Sequence, residues 1–181
     1  GEIAQVREAV ARLAVGDGGV LLLEATYGMG RSALAQEAID QAARFGLPTS
    51  IGRSTAPDQR AFESYRAPYE AFVHDATNPT ALEVAFGGRS TGDATLEKWT
   101  VFAAFRNLIL KRGPHLLVLD DLDRGDRGSI EMTEYLIRNL IGESAEPLLL
   151  VITREPPTEM DPLREILETD AETVSTEVIR L

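Results

Sequence analysis

The 181-residue chain has no cysteine, which excludes disulfide frameworks, thiolate nucleophiles and cysteine-based zinc sites. Histidine is nearly as scarce. His74 and His115 lie far apart among ordinary structural residues, so neither a histidine pair nor a histidine metal centre is expected. Long apolar runs are missing too: stretches such as Val20-Leu21-Leu22-Leu23 fall far short of a bilayer span, and no charged-then-apolar leader opens the chain. These absences point away from membranes and fit a cytoplasmic protein. Positive charge is in deficit, with 18 Lys and Arg against 29 Asp and Glu and a formal net charge of −11. Such a surface repels phosphate backbones, so direct nucleic-acid binding by this domain is not expected. Only 15 glycines and 9 prolines accompany 44% hydrophobic residues, the composition of an ordered globular chain. The length suits one domain spanning residues 1–181.

Hydrophobic periodicity supplies the secondary structure. Val6, Val10 and Leu13 mark a helix over residues 4–13, and an alanine-rich stripe from Arg31 to Gly46 marks a second. Further helices are expected at 69–74, 96–111, 130–141 and 163–167. Continuous apolar runs at 20–23, 116–119 and 148–152 read as strands buried on both faces, and 49–53 and 174–181 complete a set of five. Segment 57–95, rich in Pro, Gly, Ser, Thr and Asn, is the least legible. Strands alternating with helices predict an α/β fold: a mostly parallel five-stranded sheet with helices on both faces.

Between the first strand and its helix lies Ala25-Thr26-Tyr27-Gly28-Met29-Gly30-Arg31-Ser32. The position and spacing match the phosphate-binding P-loop, Gly-x-x-x-x-Gly-Lys-Ser/Thr. Gly28 and Gly30 lack Cβ atoms, so backbone N–H groups can turn inward around phosphate oxygens while the helix N-terminus adds partial positive charge. The candidate nucleotide-binding residues are Tyr27, Gly28, Met29, Gly30, Arg31, Ser32 and Ala33. Ser32 offers a hydroxyl to a phosphate-bound Mg²⁺. Ala25 replaces the first glycine, and Arg31 replaces the lysine. Arginine keeps the charge and can hold phosphate with two N–H groups, but its planar fork is not a lysine point charge, so binding and hydrolysis separate as questions.

The third strand ends on Asp120-Asp121, two carboxylates at the mouth of a buried strand. Asp120 is the candidate metal-binding residue with Ser32, and Asp121 the candidate base that polarises an attacking water. The fourth strand ends at Thr153-Arg154, on the same carboxyl edge, where Arg154 reads either as a reporter on a γ-phosphate or as a surface arginine at a strand end. Asp123 and Asp126 read as solvated or helix-capping acids, and Glu24 as a strand-end acid. Trp99, Phe102 and Phe105 read as core or partner-facing residues, and Arg106, Lys111 and Arg112 as cations complementing a helix C-terminus.

These elements together resemble the ATPase domain of the STAND class, within the AAA-like P-loop group, as found in large LuxR-type bacterial regulators. The resemblance rests on the leading Gly1-Glu2 helix, Gly30-Arg31-Ser32, residues 116–126 and residues 149–154. It implies the three-layer αβα P-loop NTPase fold, ATP/ADP and Mg²⁺ as cofactors, and Arg154 on the γ-phosphate. It also implies a molecular switch that sits beside sensor and effector domains, oligomerises on activation, and is continued in a longer protein by a helical lid. The sequence departs from that pattern at Gly1-Glu2-Ile3, where relatives carry Gly-Arg-Glu, at Arg31, and at Arg124-Gly125-Asp126, where they often carry Trp-Ala-Asp. No Asn-Lys-x-Asp guanine signature is present. Two readings stay open: a switch that hydrolyses ATP slowly, or a degenerate pseudo-ATPase scaffold for protein–protein assembly without turnover. A small-molecule kinase would need an acceptor site, for which no signature appears.

Overall fold

The computed structural model describes residues 1–54, 61–72, 94–142, 146–157, 162–169 and 174–181. Its elements run α1 (Glu2–Ala14), β1 (Gly19–Glu24), α2 (Arg31–Arg44), β2 (Thr49–Arg53), α3 (Glu63–Phe72), α4 (Ala94–Leu110), β3 (His115–Asp120), α5 (Arg127–Leu136), β4 (Leu148–Arg154), α6 (Pro162–Thr169) and β5 (Thr176–Arg180). A 3₁₀ turn, Leu122–Arg124, links β3 to α5, and α5 continues into a π-helical turn, Ile137–Gly142. Among the described residues no helix is long and apolar enough to cross a membrane.

The five strands form one sheet in the order β2-β3-β4-β1-β5, and every pairing is parallel. Side chains of a strand alternate between faces, so the three central strands feed two separate cores. Val20, Leu22, Leu117, Leu119, Leu148, Leu150 and Ile152 pack with α3, α4, α5 and the π-helical turn. Leu21, Leu23, Leu116, Val118, Leu149 and Val151 pack instead under α1 and α2. The result is three layers, with α1 and α2 on one face and the remaining helices on the other.

Most expected elements stand where periodicity put them. The exception is α3, expected at 69–74 and observed from Glu63. Its N-terminus is capped from a distance: the Asp126 carboxylate accepts the N–H groups of Phe62 (2.9 Å) and Glu63 (3.0 Å). The same carboxylate accepts the Ser129 N–H and caps α5, so one side chain fixes the start of two helices. Pro68 lies inside α3 and cannot donate to the Ser64 carbonyl four residues back. That carbonyl rests against β2 at Gly52, where a Cβ would sit 1.7 Å from its oxygen. The expected helix over 130–141 likewise begins earlier, at Arg127, and its last turn is π-helical. Of the illegible segment 57–95, residues 57–60 and 73–93 lie outside the described residues, His74 among them.

Phe102 and Phe105 are buried as expected, stacked edge-on against Phe62 and Tyr65 respectively, while Trp99 is half exposed beside Phe102 and Tyr135. His115 begins β3 at the amino edge of the sheet, buried, with Nε2 3.1 Å from Ser50 Oγ. Burial, reinforced by Arg112, pushes its pKa down to about 4. A cleft lined by Arg12, Gly18, Glu146 and Ser175 also lies at that amino edge, away from the loop between β1 and α2.

Candidate functional site

The loop between β1 and α2 is exposed from Thr26 to Gly30, with the Tyr27 and Met29 side chains in solvent. Gly28 (φ +86°) and Gly30 (φ +94°) both occupy the left-handed region that side chains disfavour, which is why glycine stands at these two positions. The Met29 N–H donates to the Thr26 carbonyl at 3.2 Å, and the Gly30 carbonyl accepts from Ala33 (3.0 Å) and Leu34 (3.1 Å), starting α2. Ser32 and Ala33 are exposed in its first turn.

Arg31 is the exception in this exposed turn. Its side chain is 7% exposed, with Nη2 3.3 Å from Asp121 Oδ1. Its Nη1 is buried and has no hydrogen-bond partner. A buried guanidinium N–H without an acceptor is costly.

Asp121 follows β3 in a left-handed conformation (φ +54°), unusual for a residue with a Cβ but tolerated by Asp and Asn. Its N–H donates to Thr153 Oγ1 at 2.9 Å, and Thr153 Oγ1 in turn donates to Asp120 Oδ1 at 2.6 Å. The other oxygen, Asp120 Oδ2, accepts from Arg53 Nε at 3.1 Å. Each Asp120 oxygen therefore already has a donor, and Asp121 already has Arg31. Asp123, in the adjoining 3₁₀ turn, has its carboxyl pushed above the usual range by partial burial, with Asp121 adding to the effect against backbone amides and Arg31.

Arg154 stands apart from this group. Its Nε (3.0 Å) and Nη2 (2.5 Å) both donate to Glu24 Oε1, and the two side chains are 3% and 4% exposed. Arg180 Nε donates to Glu24 Oε2 at 3.0 Å from the exposed edge strand. Strand alternation explains the separation. Thr153 shares a face with Leu149 and Val151, the face covered by α2, whereas Arg154 shares the opposite face with Leu148, Leu150 and Ile152. Arg154, the residue expected at a γ-phosphate, is thus paired with Glu24, and the polar group of β4 on the loop's face is the Thr153 hydroxyl.

The structure brings together Arg31, Asp120 and Asp121 from the expected set, and adds Arg53 and Thr153. Glu24 and Arg180, on the other face, were not legible as partners either. In sheet order the last residues of the five strands are Arg53, Asp120, Arg154, Glu24 and Arg180, charges that alternate strictly in sign. In chain order they do not alternate, so the pattern emerges only when β4 is placed between β3 and β1. Among the described residues no group of three or more His, Cys, Asp or Glu side chains is arranged to hold a metal ion.

No protein-family model and no curated protein sequence matches the chain. Solved structures do resemble it. A DNA replication initiation factor aligns with a TM-score of 0.50 at 17% identity, over 97% of this chain and 44% of that one. A Drosophila structure of ORC bound to AT-rich DNA and Cdc6 aligns with a TM-score of 0.51 at 12% identity, over 98% of this chain and 56% of that one. The chain thus spans about half the length of the proteins it resembles. At such identities the likeness concerns backbone architecture alone: the chain has the three-layer αβα P-loop NTPase fold, with a five-stranded all-parallel sheet.

Proposed function

We propose that the chain is an ATP-binding regulatory domain, a switch of the AAA-like kind that binds the nucleotide's phosphates without turning them over. The observation that carries this reading is the buried, unpartnered Arg31 Nη1 at the N-terminus of a 14-residue helix, behind two left-handed glycines. Helix dipole, loop amides and guanidinium all favour an anion at one spot. At this edge Arg31, Arg53, Arg154 and Arg180 balance Glu24, Asp120, Asp121 and Asp123, so it repels an anion less than the rest of a chain whose net charge is −11. ATP is preferred over GTP on the STAND-class resemblance and the absence of a guanine signature.

Binding is favoured over hydrolysis because the residues that would run the reaction are engaged. Asp121, the candidate base, is held in an ion pair with Arg31. Arg154 is sequestered by Glu24. On this reading the degenerate loop belongs to a STAND-like domain of a multidomain signalling or transcriptional regulator, and the chain's occupancy is read by flanking sensor and effector domains or a second copy.

The experiment is a calorimetric titration of the chain with ATP, beside Arg31→Ala and a phosphate-release assay. Wild type binds, Arg31→Ala binds at least about tenfold more weakly because a charge-assisted contact of roughly 1.5–3 kcal/mol is lost, and neither releases phosphate above background. Failure of wild type to bind at millimolar ATP refutes the proposal.

A further inference from the structure

A P-loop fold ordinarily implies a magnesium ion shared between nucleotide and protein, and the donor set here does not suit one. At a nucleotide site Mg²⁺ is held by the phosphates together with one or two protein carboxylates or hydroxyls, directly or through water, and those protein oxygens must be available to it. Both Asp120 oxygens accept hydrogen bonds, one from the Thr153 hydroxyl and one from Arg53. The Thr153 hydroxyl commits its one proton to Asp120 and accepts the Asp121 N–H. Asp121 faces Arg31. Asp120 and Asp121 are thus each engaged by a guanidinium, and a dication bound with the phosphates would have to compete with Arg53 or Arg31 for them.

We infer that the site takes its nucleotide free of metal, by an exchange of anions on Arg31: a phosphate oxygen replaces the Asp121 carboxylate as the partner of the guanidinium. The inference rests on the nucleotide-binding reading and specifies how the phosphates are neutralised. Arg31 has the chemistry for it. One terminal nitrogen holds Asp121 through a single 3.3 Å contact, and the other is buried with no acceptor at all. A phosphate group offers several strong acceptors and can engage both nitrogens at once, which a carboxylate held by one oxygen does not. Because Nη1 is buried, the guanidinium must turn out of its present seat to meet the ligand, and Asp121 is released in the same movement. Asp121 is the first residue after β3 and leads directly into the 3₁₀ turn and then Asp126, the cap shared by α3 and α5. The exchange therefore reaches the opposite helical layer through a short covalent path.

Two conventional roles for Asp121 make the opposite prediction. As a metal-side carboxylate or a base, its loss would weaken binding of the magnesium complex or leave binding unchanged. As a competitor for Arg31, its loss strengthens binding. The variant is Asp121→Asn, which preserves shape, keeps the backbone N–H to Thr153 and tolerates the left-handed conformation.

The test is the Kd for ATP measured in excess EDTA and in millimolar Mg²⁺, for wild type and Asp121→Asn, with circular dichroism confirming that both fold. Wild type is expected to bind as tightly in EDTA as in Mg²⁺, within about twofold, and Asp121→Asn to bind about five- to tenfold more tightly than wild type in both buffers. Arg53→Ala, which frees one Asp120 oxygen, is expected to introduce a gain in affinity with Mg²⁺ that wild type lacks. Tightening of wild type by tenfold or more in Mg²⁺, or weaker binding by Asp121→Asn, overturns the inference while leaving nucleotide binding intact. Absence of ATP binding in both buffers overturns the nucleotide reading itself and this inference with it.

Discussion

Replacing Glu24 by alanine tests the assignment of Arg154 to a structural pair rather than to a ligand. In the folded protein Glu24 accepts two N–H groups of Arg154 and one of Arg180. The contributions differ because the exposures differ. Arg180 is 64% exposed, so water screens its contact and its loss matters by no more than about 1 kcal/mol. Arg154 is 3% exposed, and Glu24→Ala removes the buried carboxylate that accepts two of its N–H groups. Breaking a buried pair from one side costs roughly 3–5 kcal/mol, a large part of a total stability of about 5–15 kcal/mol. Removing both charges is a different perturbation: Glu24→Ala with Arg154→Met leaves no uncompensated ion, and recovers to within about 1–2 kcal/mol of wild type. The assay is urea unfolding followed by circular dichroism, comparing midpoints at unchanged slope for the two single variants, the double variant and wild type. A Glu24→Ala cost below about 1 kcal/mol, or a double variant no more stable than that single one, refutes the buried-pair argument.

Two further outcomes are expected. Asp126→Ala removes the cap of both α3 and α5 and lowers stability by about 2–3 kcal/mol in the same urea assay, more than a single helix cap contributes. His115, with its pKa pushed from 6.5 to about 4, is neutral in the folded protein. Between those two values the unfolded chain binds the extra proton, so the stability His115 contributes is complete above pH 6.5 and falls as pH drops toward 4, by roughly 3 kcal/mol in all. His115→Gln is expected to flatten that part of the pH–stability curve, measured by thermal unfolding across the range.

The strands carrying the site were legible because burial on both faces requires continuous apolar residues, as at residues 20–23, 116–119 and 148–152. The loop was legible because two glycines at the start of a helix have a conformational reason to be there, confirmed in the positive φ of Gly28 and Gly30. What escaped reading depends on strand order or on distant caps. Glu24 read as an ordinary strand-end acid, since nothing in the chain order shows that Arg154 and Arg180 lie on either side of it. Arg53 likewise becomes a neighbour of Asp120 only when β2 pairs with β3. For α3, local signals were weakened by Pro68, yet Phe62, Tyr65 and Tyr69 do recur at helical spacing, and all three are buried. The cap that starts it, Asp126, lies more than sixty residues away, where no window-based reading looks. Strand faces were equally hidden: Thr153 and Arg154 are adjacent in sequence, and strand alternation sends them to opposite sides of the sheet.

The placement of β4 also governs how the molecule can assemble as it is synthesised. Among the described strands, β1 has only β4 and β5 as neighbours, and both follow it by well over a hundred residues. A nascent chain that has emerged through β3 can zip β2 to β3, but the strand leading into the loop has nothing to pair with, and its leucines and backbone amides stay unsatisfied until Leu148–Arg154 leaves the ribosome. The setting of the loop between β1 and α2 is therefore among the last parts of the fold to form, and β1 waits unpaired while the intervening residues are made.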